Sequence, residues 1–84
     1  MSNTPPPLSA LRHFRRIDAA SNMARFYMLS FEPTLFGDVA VLRHWGRIGT
    51  RGRQAAIFHA SMAEAQVTLE RQVARRRRRG YRES

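Results

Sequence analysis

The sequence predicts an α+β fold: a small antiparallel β-sheet of three to four strands with one C-terminal helix packed across one face. Three observations carry that prediction. Two segments, residues 25–31 and 39–48, are rich in aromatic and β-branched residues and alternate with a period of two. A glycine-rich stretch, residues 49–52, has the chemistry of a hairpin turn and leads into a third strand. Beyond Ser61, the apolar residues Met62, Ala65, Leu69 and Val73 recur at helical spacing.

Taken in order, residues 1–10 (MSNTPPPLSA) read as a flexible leader, because three consecutive prolines join neither a ladder nor a helix interior. Residues 11–17 form a weakly patterned strand, with Leu11, His13, Arg15 and Ile17 on one side and Arg12, Phe14 and Arg16 on the other. Residues 18–24 connect it to the strand at 25–31, where Phe26 and Met28 oppose Tyr27, Leu29 and Phe31. Pro33 and Gly37-Asp38 mark the next turn. In the strand at 39–48, Val39, Val41, Arg43, Trp45 and Arg47 alternate against Ala40, Leu42, His44, Gly46 and Ile48. The apolar members Ala40, Leu42 and Ile48 are expected to face the helix. Residues 53–59 return as the last strand. Ser61 followed by Glu64 is a capping box, and Gly80 is placed to end the helix. The organisation expected is a leader at 1–10, one domain at 11–81 and a tail at 82–84.

Composition narrows the function. A chain of 84 residues buries only about 60 to 65% of its unfolded surface, which leaves little room for an enclosed active site. Fifteen basic residues against six acidic ones give a net charge of +9. All fifteen are arginine. A GC-rich coding bias accounts for the missing lysine as readily as function does, but guanidinium groups grip phosphate bidentately and stack on bases in either case. An anionic partner is expected, nucleic acid before acidic protein or membrane. The absence of cysteine excludes disulfides and thiolate metal sites. Residues 1–7 lack the apolar run of a signal peptide, and no stretch approaches the roughly 20 apolar residues of a membrane span. A cytoplasmic or nucleoid-associated protein is expected.

The candidate site centres on the stretch HWGRIGTRGR, residues 44–53. Period-two geometry puts Arg43, Trp45 and Arg47 on one face of the hairpin, with Arg51 and Arg53 at and after the turn. An indole flanked by guanidinium groups is a platform for a base or sugar beside a phosphate. The competing reading is a core tryptophan with an arginine-rich rim, since most tryptophans are largely buried. Gly46, Gly49 and Gly52 are spaced like a phosphate loop, but no helix follows them, so turn geometry is their expected role. The run Arg75, Arg76, Arg77, Arg78 and Arg79 sweeps all faces of the helix end and reads as a phosphate-gripping patch. His13, His44 and His59 are scattered, without a ligand spacing, and no metal or cofactor is expected. No nucleophile stands near a base and no carboxylates are paired, so catalysis is not indicated.

The segments RFYMLSF, LRHWGRIGTRGR, FHASMAEAQVTLERQV and RRGY stand in the order and spacing of the WGR domain. The resemblance covers about residues 11–81, and the short stand-alone bacterial members are the most similar. It implies an antiparallel sheet with a helix across it. In DNA-dependent poly(ADP-ribose) polymerases this module binds DNA near a strand break, its tryptophan on the terminal nucleotide and its arginine in DNA and interdomain contacts. By resemblance those roles fall on Trp45 and Arg47. Gly46, Gly49 and Gly52 match glycines of the motif, Tyr27 an aromatic of the early strand, and Gly80-Tyr81 the closing pair. The polymerases' catalytic and regulatory domains have no counterpart here, so ADP-ribose transfer does not carry over.

The function expected is therefore a non-enzymatic nucleic-acid-binding module that meets DNA near strand ends or breaks. The alternative is a protein-interaction module whose basic face docks an acidic partner or another domain. A monomer is expected, although an exposed strand edge offers a second copy a place to pair.

Overall fold

Alternation along the strands decides which residues the helix covers. The computed structural model describes residues 11–84, so the leader expected at 1–10 lies outside the described residues. The elements are β1 (Arg12–Asp18), β2 (Met23–Pro33), β3 (Val39–Arg47), β4 (Arg53–His59), α1 (Met62–Arg78) and β5 (Arg82–Glu83). One turn of 3₁₀ helix, Ala19–Ser21, joins β1 to β2. The strands form one antiparallel sheet in the order β4-β3-β2-β1-β5.

The sheet has five strands, not three to four. The additional one is β5, whose two residues fall in the segment read as a tail and are too short to show any alternation. Its position follows from how the helix ends. Gly80 takes a φ of +87°, its N–H donates to the Arg77 carbonyl, and the Tyr81 N–H donates to the Arg76 carbonyl. This is a Schellman turn. It sends the chain back so that Glu83 and Arg82 pair with Phe14 and Arg15 of β1. Arg12 grips the Glu83 carboxylate with two donors, and Arg77 adds a third at 3.2 Å. These bonds hold the Glu83 carboxyl below the usual carboxylate range, and the same pairing with Glu83 raises Arg12.

A second expectation is reversed. The helix lies over Val39 and Val41, not over Ala40, Leu42 and Ile48. Phe14, Tyr27, Leu29, Val39 and Val41 pack with Ala65, Leu69 and Val73, while Phe31, Trp45, Met62 and Tyr81 close the margins. The larger β-branched and aromatic set wins this face because it buries more apolar area under one helix. At the helix start, the Ser61 hydroxyl accepts from the Glu64 backbone N–H at 3.2 Å. No helix among the described residues is long and apolar enough to cross a membrane.

Candidate nucleic-acid interface

Because β3 turns its odd-numbered residues toward the helix, Arg43, Trp45 and Arg47 lie on the covered face, beside its C-terminal half. The register arranges that face in cross-strand rows. Phe14, Tyr27, Trp45 and Arg53 form one row across four strands. The next row is Arg16, Arg25 and Arg47, directly opposite one another on three adjacent strands. Like charges in that position destabilise a sheet unless an anion offsets them.

Aromatic residues floor the region. Trp45 is half-buried and stacks on Tyr27 with centroids 6.1 Å apart and planes 25° from parallel. Tyr81 meets Tyr27 edge-on at 6.3 Å. The Arg43 guanidinium lies 5.0 Å from the indole centroid and donates to the Tyr27 hydroxyl at 3.4 Å. That hydroxyl donates in turn to Gln72 Oε1 at 3.2 Å.

Arg76 completes the floor from above. It continues the helix stripe, three residues after Val73, at a position where hydrocarbon is usual. It is only 8% exposed, with its guanidinium carbon 4.3 Å from the Tyr27 ring and 5.4 Å from the Tyr81 ring. No carboxylate meets it, and its buried Nε has no hydrogen-bond partner among the described residues. Two aromatic faces favour the weakly hydrated guanidinium without neutralising it.

Together Arg16, Arg25, Arg47, Arg76 and Arg79 surround a cleft of about 440 Å³, with Tyr27, Trp45, Gly46 and Tyr81 forming the rest of its wall. No acidic residue lines the cleft, and the ion pairs of the described residues all involve Glu83. Arg47 is fixed by the β1–β2 turn, where its two terminal nitrogens donate to the Asn22 backbone oxygen at 3.1 Å and to Asn22 Oδ1 at 3.3 Å. Asn22 accommodates this in the left-handed region, at φ 51°.

The expected site residues divide. Trp45, Arg47, Arg76 and Arg79 meet at the cleft, and Arg43 supports it through the indole. Arg53 is exposed beside Trp45 in the register, and Arg51 is exposed on the turn with its carbonyl held by His44 Nε2. Arg75, Arg77 and Arg78 point outward from the helix, Arg77 toward Glu83. The five-arginine run is thus several environments and not one patch. Arg16 and Arg25 were missed, though period two already placed Arg16 beside Phe14 and Arg25 beside Tyr27.

Two of the motif glycines, Gly46 and Gly52, have a steric role on the opposite face, while Gly49 serves the turn at a φ of +94°. A Cβ on Gly46 would lie 2.7 Å from Gly52 Cα; one on Gly52, at φ +70°, would lie 2.3 Å from the Trp45 carbonyl oxygen and 2.8 Å from Phe26 Cζ. The Phe26 ring fills the space these two residues leave, with His44 edge-on against it at 5.1 Å.

The WGR domain family matches the chain over residues 11–84. The uncharacterized protein y4dW of Sinorhizobium fredii (strain NBRC 101917 / NGR234) is 48% identical over 71 residues, covering 83% of this chain and 34% of that protein. The chain therefore spans about a third of the length of this relative. No solved structure matches it. With the Trp-Gly-Arg motif at residues 45–47 inside the matched segment, the chain belongs to the WGR domain family, a family of binding modules associated with nucleic acid in proteins related to the poly(ADP-ribose) polymerases.

Proposed function

We propose that the cleft binds DNA at a strand end or break, with Trp45 covering the exposed terminal base or sugar and the surrounding arginines holding the adjacent phosphates. The observation that carries this reading is the row Arg16, Arg25 and Arg47, three arginines opposite one another on adjacent strands around a cleft that no carboxylate of the described residues lines. Phosphate supplies the missing negative charge, and guanidinium groups bind it through paired donors. The half-buried indole at the same cleft supplies a surface for stacking.

Binding is sequence-tolerant, because this arrangement meets phosphates and ring faces and not base edges in a groove. For about five to eight phosphates contacted, log K falls with log salt at a slope of roughly −4 to −7. The module performs no reaction of its own in this reading, and works in the cytoplasm or on the nucleoid.

Trp45 is the single tryptophan, so its emission reports on the contact directly. The test titrates the protein with a 5′-phosphorylated nicked duplex and with the same duplex intact, near physiological salt. Quenching with tighter binding to the nick is expected. Trp45→Ala removes about 1–3 kcal/mol of stacking, a five- to 150-fold loss confined to the nicked duplex. Equal, salt-dependent binding of both duplexes with unchanged emission would make Trp45 a core residue. No binding to either would turn the assignment to an acidic protein partner.

A further inference from the structure

The outer edge of the sheet carries different chemistry from the cleft. β4 is the last strand on the side away from β5, so one row of its backbone N–H and C=O groups has no ladder partner among the described residues. Soluble proteins guard such edges with charge, proline or a bulge. From Gln54 to Ala63 this chain has no charged residue and no proline. The face of the sheet away from the helix is apolar beside that edge. Ala56 is exposed and Phe58 is 64% exposed. Inward from them, Leu11, Met28 and Leu42 line a concavity of about 370 Å³. The other edge is guarded, since β5 is two residues long and carries Arg82 and Glu83.

Charge along β4 is also segregated. Arg51 and Arg53 stand at its beginning, near Arg47. At its far end lie the β2–β3 turn, flanked by Glu32 and Asp38, and the first helical turn with Glu64.

We propose that two copies of the chain pair through β4, antiparallel, about a two-fold axis passing near Ala56 and normal to the sheet. This arrangement satisfies the free edge, and the stretch from Gln54 to His59, which carries no guanidinium, lets the backbones approach at its centre. It also resolves the repulsion expected between two chains of +9. Antiparallel pairing sends the two arginine-rich ends in opposite directions and brings Arg53 of each copy toward the end of the other that carries Glu64. Each Phe58 falls across from Gln54 of the second copy and closes over the Ala56 pair. The combined sheet has ten strands with both helices on one side, so both arginine clefts open on the same side. The proposed dimer differs from the monomer expected from the sequence, and it does not depend on what the cleft binds.

The test is sedimentation equilibrium on the full chain from about 5 to about 500 μM, a span that covers weak to moderate affinities. The mass is expected to rise from 9.7 kDa to twice that value. Ala56→Lys and Ala56→Glu, at an exposed position and checked for fold by circular dichroism, are each expected to remain monomeric, because like charges then face each other across the axis. Mixing the two in equal amounts restores the doubled mass. The proposal is overturned if the wild type stays at 9.7 kDa throughout, if Ala56→Lys associates as readily as the wild type, or if the mixture does not recover.

Discussion

The face of the sheet beneath the helix is built from two chemistries. At one end, Phe31, Val39 and Val41 lie with Leu29 under Ala65 and Leu69, all hydrocarbon. At the other, Arg16, Arg25 and Arg47 surround Trp45 and Tyr27 under Arg76 and Arg79. A single helix stripe runs over both ends: Ala65, Leu69 and Val73, then Arg76. Geometry buries position 76 as it buries 73, yet the residue there is an arginine without a counter-ion among the described residues. A domain of 84 residues has little stability to spare. The difference separates a half that stabilises the fold from a half whose charge, in the function proposed above, serves a ligand.

That division breaks if substitutions in the two halves have the same consequence. The largest effect belongs to the hydrocarbon half. Leu29 is fully buried, and Leu29→Ala is expected to cost about 2–5 kcal/mol, read as a drop in the urea midpoint. The folded fraction of that variant should bind DNA as the wild type does; a selective loss of binding would merge the two halves. Arg76→Met sharpens the contrast from the other side. Removing an unpaired buried charge for a side chain of similar length is expected to leave stability within about 1 kcal/mol or raise it. DNA affinity should fall about tenfold or more, the size of a lost charge-assisted bond of about 1.5–3 kcal/mol. Arg75→Gln, one residue earlier but outward-facing, should lower affinity much less, with a salt slope shallower by at most about one unit. Equal losses at 75 and 76 would return the run to a single electrostatic patch.

The smallest effect lies outside both halves, at the clasp between Arg12 and Glu83. The Glu83 carboxyl titrates below its usual range because Arg12 and Arg77 hold its charged form. A depressed folded value gives stability that is complete above the unfolded value of about 4.3 and disappears as pH falls through the folded one. Glu83→Gln is therefore expected to cost under about 1 kcal/mol at neutral pH, with thermal melts of variant and wild type converging in acid. A gap that persists at low pH would assign the clasp to packing and not to charge.

The main plan was legible in the sequence because it depends on periodicity. The two aromatic strands, the hairpin between β3 and β4, the helix stripe and its serine cap all follow from spacings of two or of three and four. The fifth strand was not legible, since two residues have no period and their place depends on the turn at Gly80. The orientation of β3 was misread for a related reason: both of its faces carry apolar residues, and only packing against the helix chooses Val39 and Val41. That choice moved Trp45 to the covered side and revealed Arg16 and Arg25, whose alignment with Arg47 requires the register of three strands. The role of Arg76 lay between the two cases. The stripe predicts its burial from spacing alone, but a run of five arginines conceals it as composition.

The pair Gly46 and Gly52 gives the back of the sheet a say in the front. Phe26 occupies their missing side-chain volume, and the room it occupies ends at the carbonyl of Trp45. A side chain at Gly52 would therefore meet the Trp45 backbone and the Phe26 ring together. A methyl group added at Gly52 cannot be absorbed by a flexible side chain, because the atom it meets is backbone. Gly52→Ala is thus expected to displace the strand that carries Trp45 from the face opposite the cleft, a change that the emission of the single tryptophan would report.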